Sequence, residues 1–96
     1  MEELAGPVLT KTVTVCNRRG LHARAAAKFV NTAERFTATV EVSFHGQSVS
    51  AQSIMGLMML GAGMGAVIEI RAEGWEAQEA LATLIALVEA GFNEQD

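Results

Sequence analysis

Thr37-Ala38-Thr39-Val40-Glu41-Val42-Ser43-Phe44-His45-Gly46-Gln47-Ser48-Val49-Ser50-Ala51 alternates apolar and polar residues on the approach to a His45-Gly46 break. Ala38, Val40, Val42 and Phe44 share one parity; Thr37, Thr39, Glu41 and Ser43 take the other. A period of two with one polar side is the pattern of a strand buried on one face only. His45-Gly46 supplies a turn, and Gln47 to Ala51 is then the returning strand of a hairpin. A sheet with one wet face needs apolar cover on the other, and helices on one side supply it.

The flanking segments fit that frame. Before the hairpin, Val8 to Cys16 is rich in Val and Thr, with Leu9, Val13 and Val15 opposed to Thr10, Thr12 and Thr14, a second half-buried strand. From Ala23 to about Glu34, the residues Ala26, Phe29, Val30 and Ala33 follow the i, i+3, i+4, i+7 spacing of a helix face. Beyond the hairpin, Ser53 to Leu60 is a short apolar helix and Gly61 to Gly65 a loop. Ala66 to Ala72 is the fourth strand, broken by Gly74. Trp75 to Ala90 is an amphipathic helix with Leu81, Leu84, Ile85 and Val88 on its core stripe, Trp75 as its anchor and Gly91 as its stop. The order is β-α-β-β-α-β-α. The fold class expected is α+β, a four-stranded antiparallel sheet with three helices on one face.

Ninety-six residues suffice for one domain and not for two. Residues 1–7 are expected to be a flexible N-terminal tail, 8–92 the single domain and 93–96 a C-terminal tail. A net charge of −4 argues against general nucleic-acid binding, which depends on neutralising phosphates. The charge is nonetheless polarised: Arg18, Arg19, Arg24, Lys28 and Arg35 cluster early, whereas acidic residues dominate from Glu69 onward. Cys16 is the only cysteine, so no internal disulfide forms and a reducing compartment is the simplest expectation. It ends a strand and reads as a core thiol. The first residues lack a basic region followed by an apolar core, and no apolar run approaches a membrane span. A cytoplasmic protein without membrane insertion is expected.

Chemistry concentrates in Asn17-Arg18-Arg19-Gly20-Leu21-His22-Ala23-Arg24. Gly20 suits a tight turn, and the alanine-rich run after it favours a helix, which places His22 at or just before a helix N-terminus. Unpaired N–H groups and the helix dipole attract anions there. An imidazole titrating near pH 6.5 offers an abundant neutral form and hence a nucleophilic nitrogen at pH 7. Arg24 and the backbone N–H of Ala23 are placed to hold phosphoryl oxygens. On spacing alone the plainer reading of the same residues, a polar helix start and a solvated charge, is the favoured one. Ser53, at the start of the short helix, reads as an N-cap.

Resemblance separates these readings. Gly20-Leu21-His22-Ala23-Arg24, followed by Ala26 and Phe29-Val30, resembles the active-site signature of the HPr family, the histidine-containing phosphocarriers of the bacterial phosphotransferase system. Ser53-Ile54-Met55-Gly56-Leu57-Met58-Met59-Leu60 resembles that family's regulatory serine segment, and the likeness runs from about Val8 to Phe92. It implies an open-faced β-sandwich. It also implies that His22 accepts a phosphoryl group from enzyme I and passes it to IIA-type domains, and that Ser53 is the target of HPr kinase/phosphorylase. No cofactor or metal is implied, and a monomer is expected. Gln78-Glu79-Ala80-Leu81-Ala82 through Phe92 resembles the nitrogen-related branch. The chain departs from the family at Ala25, where proline usually follows the arginine.

Met55, Leu57 and Met58 are candidates for an apolar docking patch beside His22, with Arg18, Arg24 and Lys28 as complementary charge for acidic partners. Gly61-Ala62-Gly63-Met64-Gly65-Ala66 fits a dinucleotide-binding pattern but stands between a helix and a strand, the wrong order for that function. His45 is expected as an exposed turn residue, and two histidines with one cysteine make no recognisable metal set. The alternative to a phosphocarrier is a small α/β regulatory or anion-binding module without phosphotransfer.

Overall fold

The structure, a computed structural model, describes residues 6–94. The expected N-terminal tail lies outside the described residues up to position 5, as do positions 95 and 96 of the C-terminal one. The elements are β1 (Val8–Thr14), α1 (Ala23–Ala33), β2 (Thr39–Phe44), β3 (Gln47–Ser50), α2 (Ile54–Met59), β4 (Val67–Glu73) and α3 (Ala77–Glu89), followed by a single 3₁₀ turn (Gly91–Asn93). The strands form one antiparallel sheet in the order β1-β4-β2-β3. This is the expected α+β open-faced sandwich.

Parity sets the layers. Val13, Val40, Val42, Ile68, Ile70 and Ala72 are buried on one face, with Val13 opposite Ile68 and Val42 opposite Ile70. On α1 the buried residues are Ala25, Ala26, Phe29, Val30, Thr32 and Ala33, one side of a helix whose other side is wet. Phe29, Phe92, Leu57, Ile68 and Ile70 are among the largest fully buried side chains. Each large apolar side chain so buried contributes about 1.5–3 kcal/mol relative to exposure. β1 is an edge strand, and Lys11 shares the parity of its core residues while staying exposed. An inward-pointing charge on an edge discourages further strand pairing.

The hairpin turns as its sequence implies: His45 and Gly46 have φ of 50° and 78°, the left-handed pair of a two-residue loop. Several expectations at element ends are corrected. The last helix begins at Ala77, because the preceding residues are tied to the β2 approach. There Glu76 accepts the Thr37 N–H on its carboxylate at 2.7 Å and donates its own N–H to the Thr37 carbonyl at 3.0 Å. Trp75 is consequently 75% exposed and anchors nothing. Cys16 is no core thiol either. Val15 and Asn17 take the inward positions, leaving Cys16 exposed with Sγ 3.4 Å from the Val88 carbonyl.

Candidate functional site

His22 is the N-cap of α1, in extended backbone (φ −75°, ψ 179°), with its carbonyl accepting the Ala26 N–H at 2.8 Å. Two contacts place it. Gly20, at φ 63°, closes a turn on the Asn17 carbonyl, and Leu21 donates its N–H to the Ala62 carbonyl at 3.0 Å. Gly20 is needed for space as well as dihedral: a Cβ there would lie 2.5 Å from the Ala62 oxygen. The loop between α2 and β4 therefore supports the turn that delivers the histidine.

The imidazole is three-quarters or more buried, with a different partner on each nitrogen. Nδ1 accepts the Arg24 N–H at 3.3 Å, and Nε2 meets a Glu94 carboxylate oxygen. The other Glu94 oxygen accepts from Asn17 Nδ2 at 3.1 Å, and the same Nδ2 donates to the Gly20 carbonyl at 2.8 Å. Burial pushes the Glu94 carboxyl upward, but hydrogen bonds from His22 and Asn17 and the nearby charges of His22 and Lys28 outweigh it. The carboxyl is held below the usual 4.5. With Glu94 ionised it can only accept, so Nε2 carries the proton and Nδ1 the lone pair. Among the described residues, the N–H groups of Ala23 and Ala25 have no protein partner, the ordinary state of a first helical turn. Exposed Arg24 lies between them.

The remaining candidates separate. Met58 lines a shallow depression with Arg19, Leu21, His22 and Gly61 to Gly63, so α2 does bring an apolar side chain beside the histidine. Met55 and Met59 are 64% and 73% exposed on the same short helix. Leu57 does not belong with them, because it faces inward and is fully buried. Lys28 is half-buried and donates to the Phe92 carbonyl at 2.6 Å, holding the last turn rather than standing free for a partner. Arg18 is exposed. Ser53 caps α2, its Oγ accepting the Gly56 N–H at 2.8 Å, at the opposite end of that helix from Met58.

Asn17 and Glu94 were missed as site residues, Glu94 having been placed in a tail. The available signal was Phe92: a large apolar residue just past a helix-stopping glycine implies a chain that turns back into the core. It does so through left-handed Gly91, Phe92 and Asn93, with Phe92 fully buried. Among the described residues no group of His, Cys, Asp and Glu is placed to hold a metal, and no helix is long and apolar enough to cross a membrane.

Fold and site together define a small open-faced sandwich that presents one histidine, capped onto a helix start, beside a methionine-rich helix. The family model described as the PTS HPr component phosphorylation site matches residues 9–90. The phosphocarrier protein HPr of Cupriavidus necator is 42% identical over 87 residues, which is 91% of this chain and 98% of that one. The phosphocarrier protein NPr of Shewanella violacea is 43% identical over 86 residues, 90% of this chain and 94% of that one. The crystal structure of HPr-C-His from Thermoanaerobacter tengcongensis superimposes with a TM-score of 0.86 at 41% identity, covering 92% of this chain and 99% of that one. The chain belongs to the HPr family of phosphocarrier proteins.

Proposed function

We propose that this chain is a phosphocarrier that accepts a phosphoryl group on His22 from enzyme I and passes it to IIA-type domains. It is an intermediate rather than a turnover enzyme, and it works as a monomer. One observation carries this reading within the family: Nδ1 of His22 points at the first turn of α1, where backbone N–H groups lack protein acceptors. A phosphoryl group on Nδ1 would take up the Arg24 N–H, those of Ala23 and Ala25, and the Arg24 guanidinium. These charge-assisted bonds use positioning and electrostatics, the main means of stabilising phosphoryl transfer. Met55, Met58 and Met59 supply an adaptable apolar surface beside the histidine, and Arg18 and Arg24 add charge for acidic partners.

Ser53 is the proposed second switch, phosphorylated by HPr kinase/phosphorylase. A phosphate at a helix N-terminus would not melt α2. It would put negative charge at the Met55 end of the helix that carries the exposed methionines and weaken docking. The test is incubation with phosphoenolpyruvate and enzyme I, followed by mass spectrometry for acid-labile phosphate. Wild type should gain one phosphoryl group and His22→Ala none. Absence of label on wild type, or equal label on both, would favour the anion-binding module without phosphotransfer. For Ser53, the kinase with ATP should label wild type and leave Ser53→Ala unlabelled.

A further inference from the structure

We infer that Glu94 is a positioning residue for His22: it holds the imidazole with Nε2 protonated and offsets the positive charge that the ring acquires when Nδ1 takes a phosphoryl group. This deepens, and rests on, the reading of His22 as the acceptor.

Three separate contacts deliver the carboxylate. Phe92 is fully buried, Lys28 Nζ holds the Phe92 carbonyl at 2.6 Å, and Asn17 Nδ2 holds one Glu94 oxygen at 3.1 Å. The chain reaches this position through two consecutive non-glycine residues in the left-handed region, Phe92 at φ 56° and Asn93 at φ 59°. Such residues are strained and persist where surrounding contacts over-determine them. The result leaves the Glu94 side chain only 11% exposed, with one oxygen on Asn17 and the other on His22. Both ring nitrogens agree on one tautomer. Nδ1 accepts an N–H and must have its lone pair; Nε2 faces a carboxylate and must carry the proton.

The electron count explains why this matters for transfer. Nδ1 gives its lone pair to the phosphorus of a protein-bound phosphoryl donor. The bond between phosphorus and the donor atom breaks, and its electron pair leaves with the donor. No proton leaves the ring, so the imidazole becomes a cationic phosphoramidate with its Nε2–H still in place. Glu94 stands where that charge develops and where it is absent in the ground state, the condition for lowering a barrier. A carboxylate oriented on an imidazole N–H plays the same part in hydrolase triads. In onward transfer the N–P electron pair returns to Nδ1, the charge disappears and the same tautomer is restored.

The experiment uses the full chain as wild type, Glu94→Ala and Glu94→Gln, read by nitrogen-15 and proton NMR of the His22 ring and by rapid-quench labelling from phosphoenolpyruvate and enzyme I. Wild type should show a downfield, exchange-protected Nε2–H. Glu94→Ala should lose that signal and label about tenfold more slowly, as expected for one charge-assisted bond. Glu94→Gln keeps an oxygen acceptor without the charge. It should retain the signal more fully than it retains the rate. An unchanged Nε2–H signal in Glu94→Ala overturns the inference whatever the rate, since a merely structural contact would leave the ring proton untouched. So does labelling of Glu94→Ala at the wild-type rate, an outcome that leaves His22 standing as acceptor. Failure of wild type to label sinks the acceptor reading itself.

Discussion

Replacing Phe92 with alanine tests whether the last turn is part of the fold. The side chain is fully buried. A phenylalanine buries roughly 150–250 Å², which at about 25 cal/mol per Å² gives about 4–6 kcal/mol as an upper bound. Core Phe→Ala substitutions cost about 3–5 kcal/mol once partial collapse of the cavity is included. Alanine at φ 56° keeps the left-handed strain, so no relief offsets the loss. A domain of this size has a total stability of about 5–15 kcal/mol, so the variant should be folded but marginal. Urea unfolding followed by far-ultraviolet circular dichroism is the assay, because Trp75 is too exposed to report on the core. The midpoint should fall with an unchanged slope, and the thermal midpoint should drop by roughly 12–40 °C. Phe92→Leu, closer in volume, should lose less than about 1.5 kcal/mol. A loss below about 1 kcal/mol in Phe92→Ala would refute the reasoning: Phe92 would be detachable, and the contacts that carry Glu94 to His22 would have no anchor.

Four further outcomes are expected. Gly20→Ala should cost at least about 1–3 kcal/mol in chemical unfolding, because its Cβ would sit 2.5 Å from the Ala62 oxygen at φ 63°. Ser53→Ala should lose about 1 kcal/mol by thermal unfolding through loss of the α2 cap alone, even where no kinase is present. The Glu94 carboxyl is lowered in the folded state, so its contribution is present above the ordinary 4.5 and lost as pH falls through the lower folded value. The stability gap between wild type and Glu94→Gln should therefore be open at pH 6 and close in acid; a gap independent of pH would contradict the lowering of that carboxyl in the folded state. Met59→Glu should leave the unfolding midpoint unchanged, since the side chain is exposed, while weakening enzyme I binding by about tenfold or more in calorimetric titration.

Much of this protein is legible in its sequence because the signals are local. The parity of Val40 and Val42 marks a one-sided strand, and the spacing of Ala26, Phe29, Val30 and Ala33 marks a helix face. Gly20 before an alanine-rich run puts His22 at a helix start, and Ser53 before an apolar run makes an N-cap. Each of these depends on residues within a turn or two of one another. Other features depended on the fold. The direction of a six-residue helix cannot be read from an apolar run, and only packing decided that Leu57 goes inward while Met55 and Met59 stay out. Trp75 reads as an anchor until Glu76 is seen bound to Thr37, across 39 positions. The partners of the histidine lie furthest beyond sequence reasoning. Glu94 is 72 residues from His22 and 77 from Asn17 along the chain, and no local pattern connects them. The sequence by itself determined the sheet, the helices and the place of the imidazole at a helix end. Tertiary structure alone decided which nitrogen of that imidazole faces a carboxylate, because a buried Phe92 turns the chain back and sets Glu94 on Nε2 while Nδ1 accepts from the first helical turn.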